Sequence, residues 1–207
     1  MSFAQRERHE LVASMAEKGP NAPTLCGQWT VRDLAAHLVV RERRPDASPG
    51  IMISQLAGYT ESVRSKAAQR SLADLLEDVS TGPPIWSPLR PFDALVNTTE
   101  MFIHHEDVRR GSPGWEPRTL ADADEAKLWA ACKQMARRAY RKSPVTVVLA
   151  TPDGKRATVR SKGDRQVVLT GKPSELLLHA FGRNEVRLEA SGTAADVDAV
   201  MQLDRSV

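Results

Sequence analysis

Five histidines occur in the chain: His9, His37, His104, His105 and His179. Three have neighbours that could give them chemistry. Glu100 and His104 are four apart in the stretch from Phe92 to Arg110, which has no Gly or Pro, ends at Gly111 and reads as a long helix. Helical residues four apart sit one turn apart on one face, so a carboxylate oxygen and an imidazole nitrogen can reach the same cation. Asp107, three beyond His104, shares that stripe and can hydrogen-bond the imidazole from its far side. His37 falls in another predicted helix, beside the apolar stripe of Val31, Leu34, Ala35 and Leu38. Facing helices of a bundle converge such side chains inward. Two histidines and one glutamate form a known catalytic zinc shell, with a fourth position left for water or a substrate atom.

Spacing alone also permits a plainer reading. Glu-x-x-x-His pairs are frequent on exposed helices, and a histidine near a core is usually just hydrogen-bonded. Periodicity adds a complication. Leu95, Thr98, Met101, Phe102 and His105 define the main apolar stripe better than His104 does, so a helical wheel makes His105 the more central residue. His105 has Met101 four residues before it, however, and not a carboxylate. The Glu100–His104 pair keeps the chemical advantage.

The elements that must position these residues follow from local signals. Phe3 to Lys18 reads as a helix stopped by Gly19-Pro20. Thr30 and Asp33 form a capping-box variant that opens a helix to about Arg44, before Pro45. Ile51 to about Ala68 and Leu72 to Val79 are predicted helices, the latter with Ser71 as N-cap. Thr81 to Pro91, with four prolines and Gly82, is predicted loop. Thr119 to Arg141 is a further helix, with Thr119 as N-cap and Asp122 at N3. Beyond it the pattern turns β-rich. Val145 to Ala150, Lys155 to Ser161 and Arg165 to Thr170 are predicted strands separated by turn signals. A helix with Pro173 at N1, a short strand from Glu185 to Ala190 and a last helix from Thr193 to Asp204 complete the chain. The expected architecture is mainly α: a helical bundle over 1–142 and a small α+β domain over 143–207, divided near Ser143-Pro144.

Composition narrows the class. A chain of 207 residues is long enough for one large or two small domains without staples. Lys plus Arg is 29 against 26 for Asp plus Glu, a formal net charge of +3, too mild to point to nucleic acid. Two cysteines, Cys26 and Cys132, make neither a disulfide framework nor a cysteine-rich zinc site. The charged N-terminus is no secretory signal, and the strongest apolar run, Val145 to Ala150, is too short to span a bilayer. A soluble cytoplasmic protein without membrane or nucleic-acid partners is expected.

The segment Thr24-Leu-Cys-Gly-Gln-Trp-Thr-Val-Arg-Asp-Leu-Ala-Ala-His37, followed later by Glu100-Met-Phe-Ile-His104-His-Glu-Asp107-Val-Arg, resembles the mycothiol-dependent maleylpyruvate isomerase family. The resemblance implies a DinB-like four-helix bundle that holds a divalent metal, usually zinc, through His37, Glu100 and His104, with Asp107 in the same motif. The segment Gly171-Lys-Pro-Ser-Glu-Leu-Leu-Leu-His-Ala-Phe-Gly-Arg183 looks like part of the family's small C-terminal domain, of sterol-carrier-like topology. An Arg of that domain reaches the metal site in the isomerase, and the resemblance assigns this catalytic role to Arg183. Mycothiol, a low-molecular-weight thiol, is the implied cosubstrate, and a small electrophile its reaction partner. Two functions follow as expectations: a metal-dependent, thiol-using isomerase or transferase, or a metal- or ligand-binding module without turnover.

Other signals carry plainer expectations. Lys133, Arg137, Arg138, Arg141 and Lys142 suit a solvated helix end, as do Arg41, Arg43 and Arg44. Cys26, in the entry loop near Trp29, offers two readings, a reactive thiol or packing against the helix start, and the packing role is the expectation. Trp29, Trp86, Trp115 and Trp129 read as packing anchors. His179 is expected at a core edge and His9 on an exposed face.

Overall fold

Capping boxes start the first two helices. Ser2 Oγ accepts from the Gln5 amide while the Gln5 side chain accepts from the Ser2 amide, and α1 runs Phe3–Lys18. Thr30 and Asp33 make the same reciprocal pair at the head of α2, Val31–Arg43. The computed structural model describes residues 1–51, 53–84 and 93–205. The loop at Trp86 lies outside the described residues. The chain divides into two compact units, Met1–Trp115 and Glu116–Val207.

In the first unit the predicted helix from Ile51 forms only in its second half. Ser48–Ile51 and Ser54–Leu56 are 3₁₀ turns, and α3 covers Ala57–Ala67. Pro49-Gly50 sets a tight turn against the Leu56 carbonyl, where a Cβ on residue 50 would come within 2.5 Å. α4, Leu72–Thr81, is capped by Ser71 as predicted, and α5 is Asp93–Arg109. Leu11 and Met15 of α1, Leu34 and Leu38 of α2, Leu75 and Val79 of α4, and Met101 and Val108 of α5 share one buried core. A buried bidentate ion pair ties three of these helices. Arg8 of α1 grips Glu42 of α2 at 2.9 and 2.5 Å and donates to the Val79 carbonyl of α4 at 2.7 Å.

The second unit begins with α6, Asp122–Ala139. The sequence reading put the boundary at Ser143-Pro144, whereas the compact units divide between Trp115 and Glu116. The reason is where α6 spends its bonds. Its Glu125 carboxylate accepts from the Ser174 amide and hydroxyl, each at 2.9 Å, and so caps α7, Pro173–Ala180. Ser143 is itself buried and bonds the Val145 amide and carbonyl, so the Ser-Pro step is a tight turn and not a linker. Thr119 is not the N-cap of α6. The helix follows Ala121 without a side-chain cap, and Asp122, Asp124 and Glu125 sit instead at the positive end of its dipole.

A four-stranded sheet of order β2-β1-β3-β4 completes the unit. β1, Thr146–Ala150, pairs antiparallel with β2, Arg156–Arg160, and parallel with β3, Gln166–Thr170. β4 is shorter and later than predicted, Glu189–Ser191, antiparallel to β3. The last helix, α8, is Ala194–Met201. The helical unit followed by a small α+β unit is thus the expected order. Among the described residues no helix is long and apolar enough to cross a membrane.

His179 is fully buried rather than at a core edge, with Nδ1 2.6 Å from the Tyr140 hydroxyl and Nε2 without a hydrogen-bond partner among the described residues. Burial, helped by the Arg205 charge, pushes its pKa down to about 3 from 6.5. The folded state keeps the ring neutral while the unfolded chain takes up a proton. Stability from this group is therefore present above pH 6.5 and is lost as pH falls toward 3. The slope is up to about 1.4 kcal/mol per pH unit. Denaturant unfolding between pH 7 and 4 should show a pH dependence shallower by about that amount in His179→Gln; identical slopes would refute the assignment.

Candidate metal centre

α5 supplies most of the site, and its burial is unusual. Residues 101–108 are buried without interruption, so both faces of the helix are covered by protein. His104 and His105, separated by about 100° around the axis, therefore both point inward but toward different partners. His105 faces α1, where Nδ1 lies 2.9 Å from the Glu7 carboxylate and Nε2 lies 3.1 Å from the Ser14 hydroxyl. His104 faces α2 and the loop that enters it.

The His104 ring is held at both nitrogens. Nδ1 lies 2.8 Å from Asp107 Oδ2, and Nε2 lies 3.2 Å from Glu100 Oε1. The same Glu100 oxygen is 3.6 Å from His37 Nε2 and 3.2 Å from Arg41 Nε. The His37 and His104 rings stand edge to face at 5.5 Å, and Trp29 lies against His37 at 5.1 Å. Arg64 covers the Trp29 ring at 5.0 Å while bonding Asp33, the capping residue of α2. The helix start that positions His37 is thereby tied to α3.

Charges around the three groups differ. Burial pushes the Glu100 carboxyl up, but hydrogen bonds from His104 and His37 and the charges of His104 and Arg41 bring it well below the usual carboxylate range. Burial lowers His104, yet Asp107, Cys26 and Glu100 outweigh it and hold the imidazole well above its ordinary pKa. His37 moves the other way: burial dominates, aided by the positive charges of His104 and Arg41.

One nitrogen each from His37 and His104 and one oxygen from Glu100 lie within 4.8 Å of one another. Ligand atoms of a tetrahedral shell with bonds of about 2.0–2.1 Å are about 3.3 Å apart. The separations of 3.2 and 3.6 Å from Glu100 Oε1 bracket that value. The donors thus fit a small divalent cation, and the Asp107 contact is the one that fixes a ligating histidine by its other nitrogen.

The structure brings His37, Glu100, His104 and Asp107 together. Arg183 belongs to the other unit, where its guanidinium donates to the Phe181 carbonyl at 2.6 Å. Two residues read as peripheral stand at the site. Arg41, read as a solvated helix end, lies one turn after His37, and that spacing was the available signal. Cys26, read as packing, has Sγ 3.0 Å from Asp107 Oδ2 and 3.7 Å from His104 Nδ1. No spacing rule points to it, because its loop and Asp107 are far apart in the chain. Trp29 packs, as expected, and His9 is exposed. Glu7, Glu10 and His105 form another close group, in which both ring nitrogens of His105 face protein groups.

The two adjacent histidines should therefore behave differently. His105→Ala removes a buried ring and its contacts to Glu7 and Ser14, a loss expected to cost about 2 kcal/mol of folding stability, with the metal stoichiometry unchanged. His104→Ala should abolish tight metal binding. Unfolding curves beside elemental analysis would check both, and the opposite pattern would move the centre to His105.

Residues 4–84 match the family model described as the mycothiol maleylpyruvate isomerase N-terminal domain. The match covers α1 to α4, and so includes His37, and stops before α5. No curated protein and no solved structure matches this chain. The N-terminal segment is thus similar to the mycothiol maleylpyruvate isomerase N-terminal domain, in support of the family that its motifs resemble.

Proposed function

We propose that the protein binds a divalent metal, zinc by the chemistry of the donor set, through His37, Glu100 and His104. We propose further that it uses this metal to react a low-molecular-weight thiol of the mycothiol type with a small electrophile. One observation carries the reading: Glu100 Oε1 stands between two imidazole nitrogens, while the far nitrogen of one ring is held by a buried carboxylate.

When bound, the metal would supply a Lewis acid that favours the thiolate form of a coordinated thiol near neutral pH. The chain's own residues do the rest. Asp107 holds the Nδ1 hydrogen of His104, which leaves the Nε2 lone pair for a cation and fixes the ring's direction. Arg41 stays beside Glu100 and offsets its charge. Trp29 packs its ring against that of His37. Three protein ligands leave a fourth position open in such a shell, which favours reaction over storage. Arg183 is assigned, by the family resemblance, to a carboxylate on the electrophile, which a guanidinium binds bidentately.

Elemental analysis of protein purified without added metal should give about one equivalent per chain, removable by a chelator. His37→Ala should lose it, since two ligands from one helix hold zinc poorly against water. In cobalt-substituted protein, added mycothiol should produce a near-ultraviolet charge-transfer band that strengthens as pH rises toward the free-thiol pKa of about 8.5. Arg183→Ala should keep the band. A cobalt spectrum indifferent to thiols across neutral pH would end the catalytic reading and leave a metal-binding module.

A further inference from the structure

Cys26 occupies a place that its packing alone does not explain. Its loop is built to present it. Thr24 Oγ1 accepts from the Cys26 amide at 3.2 Å and donates to the Trp29 carbonyl at 2.7 Å. The Trp29 amide returns to the Cys26 carbonyl at 3.2 Å, across Gly27 at φ +64°. The loop is also fixed to α5. Gly111 packs so tightly on Pro23 that a Cβ there would collide with the Pro23 carbonyl, and the Leu25 amide donates to the Asp107 carbonyl at 3.1 Å. Two successive loop residues therefore hold the same residue of α5. Leu25 takes the main-chain oxygen of Asp107, and Cys26 donates its S–H to the side chain, at 3.0 Å from Oδ2. That oxygen is also the one 2.8 Å from His104 Nδ1.

We infer that Cys26 is a positioning residue for the metal centre: its thiol pins the Asp107 carboxylate in the rotamer that aims Oδ2 at His104, and so sets the direction of the His104 ring. The inference rests on the reading of His37, Glu100 and His104 as the metal ligands. Cys26, His104 and Asp107 also lie close enough to share a cation, but Cys26 acts through Asp107 and not as a ligand, because Sγ faces His104 Nδ1, the nitrogen held by Asp107, and not Nε2, which faces Glu100. Asp107 is fully buried, so water cannot take the place of the thiol at that oxygen without opening the loop. Outer partners of metal-bound histidines typically change affinity by about 10–100-fold when removed. The effect of Cys26, one bond further out, belongs at the low end of that range. Serine keeps a donor at the same position, and alanine does not.

The test uses the full-length chain. Zinc affinity is measured by competition with a chromophoric chelator for the native protein, Cys26→Ala, Cys26→Ser, Asp107→Asn and Cys26→Ala combined with Asp107→Asn. Cys26→Ala should bind about 10-fold more weakly, Cys26→Ser within about 3-fold of native. The double variant should be no weaker than Asp107→Asn alone, because both changes break one chain of contacts. A second readout needs no metal. In metal-free protein with ¹⁵N-labelled histidine, the His104 Nδ1–H resonance should move in Cys26→Ala and stay near its native position in Cys26→Ser. Loss of packing alone would not be repaired by serine in both readouts. Native affinity in Cys26→Ala, additive losses in the double variant, or an unmoved His104 resonance would each overturn the inference. So would a sulfur-to-cadmium charge-transfer band in native protein without added thiol that vanishes in Cys26→Ser, since Cys26 would then be a ligand. If the native chain binds no zinc while the His104 resonance still responds to Cys26→Ala, the metal reading fails and the Cys26–Asp107–His104 linkage stands.

Discussion

Two carboxylates hold the His104 ring by its opposite nitrogens, Asp107 at 2.8 Å and Glu100 at 3.2 Å, and both come from the same helix. Their spacings of three and four residues put all three groups on one stripe of α5. That stripe must then be buried, because in water such contacts would be too weak to fix an imidazole. Burying it places His105 in the interior as well, one residue on. There His105 of α5 meets the buried Glu7 and the half-buried Ser14 of α1, and the cost of enclosing so many polar groups is offset by pairing them. The polar interior of α5 is thus one requirement with several consequences.

The partner helix has to be fixed as firmly. His37 and Arg41, one turn apart on α2, both converge on Glu100 Oε1. Their helix is anchored at each end. Asp33 closes the capping box and receives Arg64 from α3, while Glu42 receives the buried Arg8 fork from α1. Near its end, Arg43 bonds the Asp78 carbonyl of α4. Each tie removes a way in which α2 could slide or turn. A shift along the axis of one residue would move His37 by about 1.5 Å and 100°, which is enough to take it away from Glu100. Apolar packing supplies most of the stability of such a unit, but it is weakly directional, whereas these polar ties specify register.

The second unit follows a different logic. Its helix α7 is buried along nearly its whole length, and its N-terminus is capped by Glu125 of α6 instead of by its own preceding residue. Tyr140 and His179 bond each other inside that core. These interactions explain why α6 belongs with the sheet that follows it. A helix whose acidic first turn caps a later helix, and whose last turn leads straight into a central strand, is part of one folding unit with both.

Much of this was legible in the chain itself. The capping residues Thr30, Asp33 and Ser71, the Glu100–His104 pair, the Asp107 position and the change from helical to β pattern after Lys142 are local signals, because each depends on residues within about one helical turn or on strand alternation. His37 could be joined to Glu100 only through the general expectation that facing bundle helices converge inward and through the family resemblance, since no local rule relates residues on different helices. Three things were settled by tertiary packing. The wheel argument put His105 deeper than His104, and His105 is the more buried of the two, but depth does not rank their chemistry, because α5 is covered on both faces over 101–108 and each ring meets different partners. The Ser143-Pro144 break looked like a boundary because Pro ends a helix in any context, while the division at Trp115 reflects bonds from Glu125 and Tyr140 to residues that lie far along the chain. Cys26 reached Asp107, across a separation that no periodicity can bridge, because the loop Thr24 to Trp29 is folded onto α5. Sequence determines which groups a helix can offer on one face; only the packing of one element on another decides which groups from distant segments share a carboxylate, because that depends on three-dimensional register and not on spacing.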